Sequence, residues 1–138
     1  MASERINCHH NYTRKETHYG KEVWLSRKGA IDAGLGVLGL IPGSMGTPSY
    51  VVEGKGNRQA LNSCPHGAGR SYGRKQAERT FTYDQLVESM KGIEWSKSNA
   101  FLDEIPQAYK DIDTVMADAA DLVEIRHTLR QIVNVKGD

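Results

Sequence analysis

Ser63-Cys-Pro-His-Gly-Ala-Gly-Arg70 is the stretch on which the reading of this chain turns. The His66 imidazole is a nucleophile or a metal ligand. Gly67 and Gly69 let backbone N–H groups approach an anion closely. Arg70 carries a planar fork that can clamp phosphate bidentately. Two further polar loops lie upstream, Pro42-Gly-Ser-Met-Gly-Thr-Pro-Ser49 and Cys8-His-His-Asn-Tyr12. Three such loops in one small chain point to phosphate chemistry assisted by metal.

Composition narrows the class. The chain has 138 residues, a length that fits one domain burying roughly 70% of its unfolded surface. Eighteen basic against 17 acidic side chains leave a charge of +1, so no basic arm or general polyanion-binding face is expected. A nucleic acid would have to use a local patch. Cys8 and Cys64 could form one staple, but two cysteines make no secreted framework, and reduced cytosolic thiols are the expectation. No apolar run reaches the ~20 residues of a membrane span, and the first residues lack a signal-peptide core. The expected location is cytoplasmic, without membrane contact. Asn11-Tyr-Thr13 matches the glycosylation sequon only by chance on that view.

Local patterns suggest an α+β chain without repeats or linkers. Residues 1–73 are rich in glycine and β-formers, with short strands expected over 22–26 and 49–53. Gly54-Lys-Gly-Asn57 reads as a turn leading into a strand through Ala60 and Leu61. Residues 74–121 read mostly as helix. Thr82-Tyr-Asp-Gln85 is a capping box that opens a helix with Leu86, Val87 and Met90 inward. A second helix is expected from near Pro106 to Ala120, with Tyr109, Ile112, Met116 and Ala119 on one stripe. The alternation Ile132-Val-Asn-Val135 reads as a closing strand.

The remaining motifs separate on physical grounds. Gly34-Leu-Gly-Val-Leu-Gly39 matches the dinucleotide fingerprint, but the glycines run into Leu40-Ile-Pro-Gly43, which cannot continue the required helix. It reads as a glycine-rich turn before a buried strand. Gly43-Ser-Met-Gly-Thr47 can form an anion nest or a plain loop. His9 and His10 are neighbours whose side chains diverge, so one would bind metal and the other pack. His18 and His127 have no supporting neighbours and read as structural. A structural zinc site from Cys8, His10, Cys64 and His66 is the rival reading, although the spacing is not that of a zinc finger or ribbon.

Five blocks resemble the RtcB RNA ligase family, in that family's order and across essentially the whole chain. They are Asn7-Cys-His-His-Asn-Tyr12, Ile41-Pro-Gly-Ser-Met-Gly-Thr-Pro-Ser-Tyr50, Ser63-Cys-Pro-His-Gly-Ala-Gly-Arg70, Asp103-Glu-Ile-Pro-Gln-Ala-Tyr-Lys-Asp111 and Leu129-Arg-Gln-Ile-Val-Asn-Val-Lys-Gly137. The resemblance implies a ligase that joins RNA 3′-phosphate or 2′,3′-cyclic phosphate ends to 5′-hydroxyl ends, using GTP and manganese. Its substrates would be tRNA halves or broken RNA, hence roles in tRNA splicing and RNA repair. It implies that His66 becomes guanylylated and that His10 binds metal. Pro42, Gly43, Ser44, Met45, Gly46, Thr47 and Ser49 would form the guanylate loop, with Gly67, Ala68 and Gly69 lining the same pocket. Lys136 would contact the base, Tyr109 would stack on it, and Asn11 and Arg70 would meet phosphate or RNA.

The resemblance also sets out what is not here. Family members often carry Ser-Arg where this chain has Gly73-Arg74, which would lose a hydroxyl contact. More than half of the family's catalytic domain precedes the His-His-Asn block. That part holds a Cys, an Asp and two histidines that bind metal, and an Asn that contacts phosphate. The expectation is therefore the C-terminal part of an RtcB-type fold over residues 1–138, a mixed sheet with at least two helices. It would pair with a separate N-terminal half or self-associate through uncovered apolar sheet surface. The rival expectation is a guanine-nucleotide-binding or interaction module without catalysis of its own.

Overall fold

The computed structural model describes residues 5–136. The start of the leader reading and Gly137 of the fifth block lie outside the described residues. The fold is α+β. Strands β1 (Asn11–His18) and β2 (Lys21–Lys28) form a long antiparallel hairpin. Tyr19 and Gly20 both take positive φ at its tip, the geometry that a tight two-residue hairpin turn requires. Strand β3 (Ala30–Asp32) pairs with β6 (Ser63–Pro65), while β4 (Leu38–Ile41), β5 (Ser49–Gly54) and β7 (Val123–Leu129) make a three-stranded sheet with β5 central. All these ladders are antiparallel, and the parallel pairing among the described residues is the isolated bridge Glu94–Val133. No helix of the described residues is long and apolar enough to cross a membrane.

Among the described residues two apolar clusters divide the interior. One joins the sheets to α3 (Ile112–Asp118): Ile31, Ile41, Tyr50, Val52 and Cys64 pack with Ile112, Met116 and Ala119. The other gathers Met45 with α1 (Arg74–Thr80), α2 (Tyr83–Ser89) and the 3₁₀ segments Asn99–Glu104 and Pro106–Ala108. Tyr109 touches both clusters, and the loops of interest meet along this seam.

Several expectations are met. Both short strands form within β2 and β5, the residues 34–37 turn leads into β4, and Thr82 makes both halves of its capping box. His18 is buried against Glu16, whereas His127 lies exposed on β7. Four local expectations need correction. The Ala60–Leu61 strand is a turn, because the Asn57 side chain accepts from the Ala60 N–H and Leu61 and Asn62 adopt positive φ. Val87 faces outward, while Leu86 and Met90 are buried. The helix expected over 106–120 breaks at Tyr109, which is extended and bridges to Arg70, and Asp111 caps a new helix by accepting from Asp113 N–H. Ile132–Val135 forms no strand beyond the single bridge, and β7 is the closing strand. Apolar side chains do stand exposed on the sheet and the tail, among them Leu40, Ile125, Leu129, Ile132 and Val135.

A buried ion network ties the hairpin to the segment that carries His66. Arg27 is 3% exposed and donates bidentately to Glu16, at 2.5 and 3.0 Å. Its remaining N–H groups reach Tyr12 Oη, Ser63 Oγ and the Leu61 carbonyl. The Arg27 guanidinium holds the Glu16 carboxyl down to about 2, against the opposing effect of burial. A carboxyl held below its ordinary 4.5 contributes stability that is complete above that pH and drains as pH falls toward 2. In urea unfolding, Glu16→Gln should therefore be markedly less stable than the unmodified chain at pH 7, and the gap should narrow between pH 4.5 and 2. A gap that stays constant over that range would contradict the role of this pair.

Candidate active site

The site starts at one glycine. Gly29 follows β2, with φ +70°, a conformation that side chains rarely adopt. Its N–H donates to the His10 carbonyl at 2.8 Å and to Asn11 Oδ1 at 3.0 Å. Its carbonyl accepts from His66 N–H at 3.0 Å. The two histidine loops, 56 positions apart, are thus joined through one residue. Their rings stack, with centroids 4.1 Å apart and planes 5° from parallel. Burial, and then the neighbouring His10 ring, lower the His66 pKa below its ordinary value; the Leu40 backbone opposes this. His66 is thereby favoured as neutral imidazole. Its Nδ1 is buried with no hydrogen-bond partner among the described residues, a condition that buried polar atoms rarely tolerate without function.

Both rings border a cavity of about 1080 Å³, at the upper end of ordinary ligand pockets (roughly 300–1,000 Å³). The structure brings most of the expected residues to its wall: His10, residues 42–45, residues 66–69, Tyr109 and Lys136. Gly46, Thr47 and Ser49 do not line it but shape the loop that does. Ser49 Oγ accepts from Gly43 N–H, and Thr47 Oγ1 donates to the Ser44 carbonyl. Gly43 is required by space, since a Cβ there would lie 2.0 Å from the Pro48 carbonyl oxygen.

Asn11 and Arg70 stand back from the cavity. Asn11 braces Gly29. Arg70 donates to the Tyr72 carbonyl, to Tyr109 Oη and to the Asp103 carbonyl, and its guanidinium lies 4.8 Å from the Tyr109 ring centroid. Tyr109 Oη also donates to Glu104. The tyrosine is thus fixed in place by an arginine and a carboxylate. His9 is exposed and lines a separate smaller cavity with Cys8, Tyr12 and Asp32.

Sequence reasoning passed over the residues that hold this wall together. Gln131 accepts from Gly46 N–H at 3.2 Å and donates to the Ser44 and Thr47 carbonyls at 2.8 and 3.1 Å. Asp103 receives Lys136 on one oxygen and Arg74 on the other. Both lie inside the quoted blocks, but hydrogen bonds spanning about 30 to 90 positions leave no local signal. Gly73 is the N-cap of α1 and makes no side-chain cap. A serine there could accept a helix N–H, which favours it over glycine by a few tenths of a kcal/mol.

The donors among the described residues do not make a metal site. Among the described residues no group of three or more His, Cys, Asp or Glu is placed to hold an ion. His10 offers one imidazole. Cys64 is buried, and burial pushes its thiol up to about 11. The four-ligand zinc reading therefore lacks a structural basis, and a manganese ion would need ligands beyond those described.

The sequence profile of the family described as tRNA-splicing ligase RtcB matches residues 1–137. RNA-splicing ligase RtcB of Escherichia coli K12 is 50% identical over 137 residues, 99% of this chain and 34% of that protein. The tRNA-splicing ligase RtcB of Aeropyrum pernix is 40% identical over 117 residues, 80% of this chain and 24% of that protein. RNA-splicing ligase RtcB homolog 1 of Entamoeba histolytica is 34% identical over 153 residues, 93% of this chain and 29% of that protein. The chain spans between about a quarter and a third of the length of these curated relatives, and it belongs to the RtcB family of RNA ligases.

Proposed function

We propose that this chain supplies the guanylate-accepting wall of an RtcB-type RNA ligase, with His66 as the nucleophile. The observation that carries the reading is the stacked His10–His66 pair on the rim of a cavity walled by two glycine loops. GTP fits these residues: the loops offer backbone N–H groups to phosphate, Tyr109 offers a ring to the base and Lys136 a donor. A neutral His66 attacks the α-phosphorus and the bond to pyrophosphate breaks. The 3′-phosphate of RNA then takes the guanylyl group from His66. Attack by a 5′-hydroxyl closes the phosphodiester and releases GMP. The fall in the His66 pKa supports this role, since only the neutral ring has a lone pair to give.

The family's use of manganese, together with a single histidine here, makes the metal centre a shared one. Its other ligands would come from residues outside this chain, either on a separate N-terminal half or through association. The absence of a three-ligand cluster among the described residues also favours a second reading: by itself the chain binds guanine nucleotide without catalysis.

Two outcomes test the proposal. With labelled GTP, manganese and the preceding segment of a full-length relative, an acid-labile guanylyl adduct should form on this chain. His66→Ala should abolish it, and an adduct that survives that change would refute the assignment. In the same complemented protein, His10→Ala should lower ligation by roughly 100-fold or more. His9→Ala should matter little, because His9 faces away from the cavity. Equal losses in a ligation assay would mean that the metal-facing histidine is misassigned.

A further inference from the structure

Asp103 is 8% exposed and lies in the 3₁₀ segment Asn99–Glu104 beside the cavity. It collects three cations. Lys136 Nζ donates to Oδ1 at 2.9 Å, Arg74 Nη1 donates to Oδ2 at 2.7 Å, and Arg70 Nη2 donates to its carbonyl at 2.5 Å. Lys136 also donates to the Ala100 carbonyl and sits 5.8 Å from the Phe101 ring centroid. Its segment is otherwise held through backbone and Gln131 hydrogen bonds, while the side chains of Ile132, Val133 and Val135 are all exposed. An ammonium has three donors and no acceptor. Two are spent on this chain, one against Asp103 and one against Ala100, so a single N–H in a fixed direction remains for a ligand in the cavity that Lys136 borders.

We propose that Asp103 is a positioning residue that aims the Lys136 ammonium and so makes the cavity select a purine with a carbonyl at position 6. The inference rests on the guanylate reading and deepens it. A fixed donor meets an acceptor on a 6-oxopurine and an opposing N–H₂ on a 6-aminopurine. The mismatch sets two donors facing each other with no acceptor between them, so discrimination comes from rejection as well as attraction. Arg74 holds the other carboxylate oxygen and keeps the carboxylate from turning away from Lys136. Without Asp103 the ammonium on its long stem swings toward solvent, and the site no longer senses what the base carries at position 6.

The test uses the 138-residue chain and three probes: GMP, IMP and AMP. IMP differs from AMP in the group at position 6 and in the N1 proton that goes with it, so the change in the ratio of their dissociation constants on substitution reads the proposed contact. The unmodified chain should bind IMP and GMP more tightly than AMP. Asp103→Asn should cut the IMP preference by roughly tenfold while AMP binding is retained. Retained AMP binding certifies a folded cavity, and a purely structural loss would weaken all three ligands together. Lys136→Met should remove the same preference, and the double variant should lose no more than either single one. If GMP and IMP are preferred by the unmodified chain and equally by Asp103→Asn, or if all three ligands weaken in parallel, the positioning role is overturned while the guanylate reading stands. If the unmodified chain, with the preceding segment of a full-length relative present, binds no guanine nucleotide, that reading itself fails and takes this inference with it.

Discussion

Everything in the site hangs on the peptide unit at Gly29. Its N–H holds the His10 loop and its carbonyl holds His66, so the two rings can stack only while the chain at this point keeps its left-handed turn. A side chain there would strain that conformation. The hairpin explains why the turn stays put. Its strands pair residue for residue from Asn11–Lys28 to His18–Lys21, so its base arrives at Gly29 in a fixed register. The Arg27–Glu16 pair then locks the hairpin to the Leu61–Ser63 segment just before His66. Removing one partner of such a buried pair leaves an uncompensated charge, which costs more than the pair itself contributes.

The far wall of the cavity obeys a similar rule. Its polar groups are held by partners distant in sequence and not by local structure. Gln131 spends its amide on the 44–47 loop, Asp103 draws in Lys136 and Arg74, and Arg70 with Glu104 fixes Tyr109. Such preorganisation suits chemistry on phosphate, where positioned donors matter more than covalent work by the protein. It also explains why Arg70, which reads as a phosphate clamp in the sequence, has its guanidinium occupied within the chain.

The five blocks made the family and the wall residues legible, because each carries chemistry in consecutive positions. The α+β class and the Thr82 cap were legible for the same reason: their signals are local. What escaped reading is nonlocal or depends on competition between local signals. Tyr109 sits at helical spacing from Ile112 and Met116, yet the pairing of its backbone with Arg70 and the cap at Asp111 outweigh that periodicity. Ala60 and Leu61 have β-compatible side chains, but Asn57 turns the chain first. The alternation at Ile132–Val135 suggests a strand, yet the tail pairs only at the Glu94–Val133 bridge and holds instead to Glu94, Gln131 and Asp103.

On the proposed reading this chain holds the nucleophile and the guanylate wall, while the metal centre needs ligands from elsewhere. A single histidine binds a divalent ion weakly, and catalytic sites ordinarily use three or more protein ligands. The most direct measurement is RNA joining by the purified 138-residue chain with excess manganese and GTP, with and without the preceding segment of a relative. The chain alone should give no joined 3′-phosphate and 5′-hydroxyl ends, and joining should appear, and depend on His66, once the segment is added. Multiple-turnover ligation by the chain alone, lost on His66→Ala, would contradict this reading.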